Sequence, residues 1–219
     1  MQRITKRRLT STYHISFSVN EEFDKLIRHT SAKIQNEYKS KFAVDGKSYI
    51  PHMSMYLFAA PIVNQKEIIA QLNVIAEGIK LPTLSVNELF LSDDGWLMVY
   101  FDNAIDMRKI HKLIINKINP LRMGVLRKKY RSNKSILKLN KNDRLNLLKY
   151  GDRHVLKDFY PHMSLTKFDN MENAEEALKR YSKLFNKTVV KIVSLDLIRG
   201  IGSGSGAIGK VVYRYNFNN

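Results

Sequence analysis

The order of elements predicts an α+β protein made of two similar halves. Three observations carry that expectation: strand-like alternation at the start, strands and helices that succeed one another in both halves, and one tetrapeptide that occurs twice. The expected architecture is a bilobal, pseudo-twofold duplication, with two antiparallel-type sheets flanking a central cleft and helices outside. Residues Tyr13-His14-Ile15-Ser16-Phe17-Ser18-Val19 alternate apolar and polar, the period of a half-buried strand. Asn20-Glu21-Glu22 then suits a helix N-terminus, and Phe23, Ile27, Thr30 and Ile34 recur at helical spacing to about Tyr38. Tyr49 to Phe58 reads as a strand that Pro61 ends, and Asn64 followed by Glu67 resembles a capping box. Ile68, Leu72, Ile75 and Ile79 mark the second helix, closed by Pro82. Strands Thr83 to Leu91 and Trp96 to Phe101 flank the turn Ser92-Asp93-Asp94-Gly95.

The second half follows the same plan. Ile105, Ile110, Leu113 and Ile114 mark a helix stopped by Pro120, and a long basic segment leads to the strand Phe159 to Phe168. Asn170 caps a helix bearing Ala174, Leu178, Tyr181 and Phe185. Val189 to Ile198 and Ala207 to Phe217 are the closing strands. The run Gly200-Ile201-Gly202-Ser203-Gly204-Ser205-Gly206 precedes a strand, whereas a dinucleotide fingerprint must open a helix, so it reads as a pliable hairpin turn.

Composition narrows the function classes. The 219 residues hold 37 Lys+Arg against 20 Asp+Glu, a net charge of +17, which favours phosphate-bearing partners. With no cysteine there is no disulfide framework, thiolate metal site or cysteine nucleophile. Apolar runs such as Phe58 to Val63 fall far short of the roughly 20 residues of a spanning helix, so a soluble, cytoplasmic, monomeric protein is expected. The basic N-terminus leads directly into strand alternation, which reads as mature protein and not as a targeting segment.

Pro51-His52-Met53-Ser54 and Pro161-His162-Met163-Ser164 are identical. Because strand side chains alternate faces, His52 and Ser54 share a face, as do His162 and Ser164. Two imidazoles brought together divide acid/base work, one taking a proton from the nucleophile and the other giving one to the leaving oxygen. The hydroxyls donate to phosphoryl oxygens. A lone strand histidine is usually a satisfied core residue, but two copies in matching positions count against that. A metal site lacks an Asp, Glu or Cys within either motif, and no Gly-x-Ser-x-Gly elbow suggests a serine hydrolase. By the same parity Tyr56 and Thr166 share the face of the histidines as candidate substrate-binding residues, with core or rim packing as the equal alternative. Lys167 is a phosphate-neutralising candidate that parity turns away unless the strand bulges. His14, Ser16 and Ser18 form a polar face that lines the cleft on one reading and is exposed sheet on the blander one.

The paired His-x-Ser elements, each on a strand preceded by proline, resemble the 2H phosphoesterase superfamily. This group includes RNA 2',3'-cyclic phosphodiesterases and 2'-5' RNA ligase-like proteins. The resemblance implies a bilobal α+β fold and metal-independent chemistry without cofactor. It assigns His52 and His162 as the acid/base pair and Ser54 and Ser164 as phosphate ligands. The implied activity is a phosphoric diester hydrolase acting on RNA ends or short oligonucleotides through a 2',3'-cyclic phosphate or 2'-5' linkage. A non-catalytic RNA-binding module, or a hydrolase of a small cyclic nucleotide or nucleotide signal, is the alternative.

One feature departs from the symmetry. Trp96 precedes His162 by 66 residues, whereas Tyr13 precedes His52 by 39. The excess lies mostly in residues 122–153, read as a basic insertion in a single domain spanning 1–219. It holds 11 Lys+Arg and two acids, a net of +9. Tyr130 and Tyr150 among those charges suggest an arm that grips RNA and stacks on bases, against the blander reading of a solvated loop. Leu145, Leu147, Leu148 and Gly151 predict a short helix at its end.

Overall fold

The computed structural model describes residues 9–200 and 209–217. The described residues form eight strands: β1 (Thr10–Val19), β2 (Met53–Pro61), β3 (Leu84–Leu91), β4 (Trp96–Phe101), β5 (His162–Lys167), β6 (Val189–Val190), β7 (Ile192–Gly200) and β8 (Gly209–Asn216). The helices are α1 (Glu21–Tyr38), α2 (Gln65–Gly78), α3 (Ala104–Ile118), α4 (Asn133–Leu137), α5 (Lys141–Tyr150) and α6 (Met171–Tyr181).

The expectation of two sheets is corrected. All eight strands form one antiparallel sheet in the order β6-β3-β4-β5-β2-β1-β7-β8. Its centre is narrow: β2 meets β5 at a single register pair, Met53 opposite Met163. Two four-stranded groups are thus fused through the motif strands themselves. The predicted strand Val189 to Ile198 is split at Lys191. Its first two residues pair with β3, while the rest pairs with β1 in the other half of the sheet. Local periodicity cannot reveal such a crossing, because both pieces alternate alike. The glycine run beyond Gly200 lies outside the described residues.

Helices cover one face of this sheet instead of lying outside two sheets. Phe23 of α1 packs edge-on against Phe101 of β4 and Phe185. Asn73 of α2 accepts from the Tyr213 hydroxyl of β8, and α3 lies beneath β2. The core between the layers includes Tyr13, Ile15, Phe17, Met53, Phe58, Val99 and Met163, all fully buried. Asn170 caps α6 by accepting from the Asn173 amide, as expected, whereas Asn20 uses its side chain to hold Lys191 beside β7.

The basic segment is folded. It contains α4 and α5, and α5 ends at Gly151 in the left-handed conformation, φ 77°. Arg122 is buried there and donates to Asn119 and to the carbonyls of Val125, Leu148 and Lys149. Those last two carbonyls belong to the final turn of α5, whose acceptors have no partner within the helix.

Candidate active site

Proline begins the positioning of each motif histidine. The residue before a proline is confined to extended backbone, and the carbonyls of Ile50 and Tyr160 point back to the imidazoles two residues on. His52 Nδ1 lies 2.7 Å from the Ile50 oxygen and His162 Nδ1 lies 2.8 Å from the Tyr160 oxygen. A carbonyl only accepts, so in both rings Nδ1 carries the proton and Nε2 is left for chemistry. The pairing of Met53 with Met163 sets the motifs side by side, and its antiparallel direction turns His52 toward Ser164 and His162 toward Ser54.

Each motif strand carries a β-bulge one residue after its serine. Ser16 lies opposite Ser54 but Ile15 lies opposite Tyr56, so Met55 is the extra residue of β2. On β5, Met98 faces Ser164 and Leu97 faces Thr166, which makes Leu165 the extra residue. Burial follows the same pattern through residues 51–57 and 161–167. Both bulge carbonyls are held from the helical layer. His111 Nδ1 of α3 donates to Met55 O at 2.7 Å, and the Ser31 hydroxyl of α1 donates to Leu165 O at 2.6 Å. The same two side chains accept backbone amides from the segments leading into the motif strands, Leu156 onto His111 Nε2 and Val44 onto Ser31 Oγ.

These bulges overturn the parity argument. Tyr56 faces the helices, 2% exposed, where its hydroxyl donates to Tyr150 O and Asn119 Oδ1. Thr166 is fully buried on that same side and donates to Ser40 Oγ and Phe42 O. Neither lines the face of the histidines. Lys167, one residue farther, is turned onto that face, where its ammonium lies 5.1 Å from the Trp96 ring centroid and 3.4 Å from Asp94. An extra residue in a strand exchanges which later side chains point up and down.

The polar face of β1 is part of the site and not exposed sheet. His14 is 4% exposed, its Nε2 lies 2.9 Å from Ser54 Oγ, and its ring meets His52 edge-on at 4.7 Å. Beyond it a polar row crosses the sheet from Ser54 to Ser16, Asp196 and Arg214. Asp196 is buried and accepts from Ser18, from Ser194 and from both ends of the Arg214 fork. On the β3–β4 side the same face is aromatic. Tyr100 stacks on Phe90 at 4.7 Å and lies 4.5 Å from Tyr160 and 5.9 Å from His162. Sequence reasoning missed Asp196 and Tyr100 as neighbours of the site. The available signal was a carboxylate inside the apolar run Leu195 to Ile198.

Burial holds the pKa of both motif histidines below the usual imidazole value. The Ile50 carbonyl and the Asp196 carboxylate partly oppose this at His52, and the Tyr160 carbonyl does so at His162, where His52 and His154 push further down. Both rings are therefore neutral near pH 7 in the free protein. Among the described residues no three His, Asp or Glu side chains gather as metal ligands would.

From the basic segment, Arg127 approaches His14, pairs with Asp152 at 2.9 Å and lies over the buried ring of Tyr130. Tyr130 is thus not free to stack on a base, and Arg122 and Arg127 are structural cations. Lys128, Lys129, Arg131, Lys134, Lys138, Lys141 and Lys149 remain exposed.

The profile of a family described as "Protein of unknown function (DUF1045)" matches residues 57–202, about two thirds of the chain. The chain belongs to the DUF1045 family. The matched span contains the second motif of this DUF1045 protein and stops short of the first. No curated protein sequence matches it. Among solved structures, one titled as a phosphoesterase aligns with TM-score 0.58 and 9% identity over 96% of this chain and all of the other. E. coli LigT complexed with phosphate aligns with TM-score 0.54 and 12% identity, over 96% of this chain and 99% of LigT. LigT complexed with 3'-AMP gives the same score and identity. At such identities the likeness is one of fold alone.

Proposed function

We propose that this DUF1045 protein is a metal-independent phosphodiesterase acting on RNA ends or short oligonucleotides, at a 2',3'-cyclic phosphate or a 2'-5' linkage. The observation that carries the reading is the matched pair of imidazoles, each with Nδ1–H fixed on a carbonyl and Nε2 turned to one face of the sheet. During hydrolysis one Nε2 takes a proton from water as its oxygen bonds to phosphorus. The other ring, protonated, gives its Nε2 proton to the ribose oxygen as the P–O bond breaks. One proton enters and one leaves, so the pair is restored after proton exchange with solvent. Ser54 and Ser164 donate to the non-bridging oxygens, and Lys167 supplies positive charge on the same face. The LigT complexes with phosphate and with 3'-AMP support a phosphate-bearing nucleotide as ligand.

The repeated bulges and the two four-stranded groups fit a pseudo-twofold duplication, into which residues 122–153 are inserted. Seven exposed cations on that insertion suit the backbone of a single-stranded RNA. The decisive test incubates the protein in EDTA with 2',3'-cyclic, 2'-5' and 3'-5' linked oligonucleotides and identifies products by mass. Cleavage of a ribose 2' phosphoester is expected in EDTA, reduced by about 10² to 10⁴ in His52→Ala and in His162→Ala. Activity that disappears in EDTA and returns with added metal, or full activity in the double variant, would refute the reading.

A further inference from the structure

Ser54 and Ser164 occupy matching places before their bulges, yet their neighbours differ. The β1 position opposite Leu57 is His14, and the corresponding β4 position, opposite Lys167, is Trp96. The Trp96 ring carries the Lys167 ammonium. His14 instead reaches Ser54, and it is a buried histidine for which the acid/base pair has no use. Its Nδ1 has no hydrogen-bond partner among the described residues.

We infer that His14 is a positioning residue: as the neutral Nε2–H tautomer it donates to Ser54 Oγ and thereby turns the serine's own proton toward a bound phosphoryl oxygen. The inference rests on the reading of Ser54 as a phosphate ligand. Burial first, and then the electrostatic influence of His52, Arg127 and His162, hold the His14 pKa well below the ordinary imidazole value, so the ring carries a single N–H.

The two tautomers have different consequences. A proton on Nδ1 would leave a buried N–H donor unpaired, among the rarest of native defects. It would also make Nε2 the acceptor of the Ser54 proton, leaving only oxygen lone pairs for an anionic phosphate. A proton on Nε2 leaves the lesser defect, an unpaired lone pair on Nδ1. Ser54 Oγ then accepts from His14 and keeps its hydroxyl proton for the substrate. The three imidazoles are thereby sorted: His52 and His162 hold their protons on Nδ1, and His14 on Nε2. Ser54 is aimed before substrate arrives, as preorganised stabilisation requires, whereas among the described residues no side chain is hydrogen-bonded to Ser164.

Two measurements test this on the full chain. Long-range ¹H–¹⁵N spectra of protein labelled with ¹⁵N-histidine, with His14 assigned by its absence in His14→Gln, should show a neutral Nε2–H ring at pH 7. His52 and His162 should be Nδ1–H when neutral. An Nδ1–H or doubly protonated His14 overturns the inference. In the second, the affinity for inorganic phosphate is measured by calorimetry in His14→Phe, His14→Gln, Ser54→Ala and the His14→Phe, Ser54→Ala double variant. His14→Phe should weaken binding about tenfold and add nothing once Ser54 is alanine. His14→Gln, whose amide donates from nearly the same place, should return to within about twofold of the natural chain, and it serves alone if His14→Phe does not fold. Unchanged affinity in His14→Phe, or additive losses, would also overturn the inference. If the natural chain does not bind phosphate at all, the phosphodiesterase reading falls, and the tautomer still decides His14.

Discussion

Acidification should remove a definite amount of stability through His111. This ring is 1% exposed, donates from Nδ1 to Met55 O, accepts the Leu156 amide on Nε2, and stacks on Phe159 with centroids 4.0 Å apart. Burial disfavours the cation and outweighs the Met55 carbonyl, which by accepting from Nδ1 favours it, so the pKa falls to about 4. In the unfolded chain the ring titrates near 6.5. The folded state therefore keeps its full advantage above about pH 6.5 and loses it as pH falls toward 4, because only the unfolded chain binds the proton in that window. A displacement from about 6.5 to about 4 is worth about 3 kcal/mol. Urea denaturation at pH 7 and pH 4 should be compared between the natural chain and His111→Gln. The other buried histidines are present in both and cancel. The natural chain should be the more stable at pH 7, and its margin should shrink by about 3 kcal/mol at pH 4. Parallel pH dependences would show that burial does not hold His111 neutral in the folded chain.

Tyr56→Phe leaves Tyr150 O without the Tyr56 hydroxyl, while Asn119 Oδ1 keeps Arg122 as donor, and unfolding should show a loss of about 1 to 2 kcal/mol with phosphodiester turnover within about twofold of normal. Lys167→Met keeps the aliphatic stem over Trp96 and removes the charge, so KM for a phosphodiester should rise about tenfold while melting temperature changes little. Replacing Lys128, Lys129, Lys134 and Lys138 by serine should reduce the slope of log affinity for single-stranded RNA against log salt by up to about 3, at about 0.7 per phosphate contact, and leave binding of a mononucleotide unchanged.

The motif strands were readable because their information is local. Two copies of Pro-His-Met-Ser needed only strand alternation to place imidazole and hydroxyl together. Alternation also marked the polar side of β1, but not its burial, which depends on β2 and β7 lying alongside. Tyr56 and Thr166 were misplaced for a related reason. The bulges at Met55 and Leu165 are held by His111 and Ser31, 56 and 134 residues away in the chain. No window of sequence around the motifs contains those partners.

By itself, then, the sequence determined the α+β class, the helical end of the basic segment, and the four side chains of the paired motifs, all of which follow from period, capping and turn chemistry within a few residues. Tertiary structure decided that the strands form one sheet, that Lys167 and not Tyr56 or Thr166 shares the face of the histidines, and that His14 and Asp196 stand beside them. It also separated the buried Arg122 and Arg127 from the seven exposed cations of the same segment. The physical reason is that strand pairing, bulge register and burial are settled by contacts between residues far apart in the chain, and periodicity is blind to the far partner.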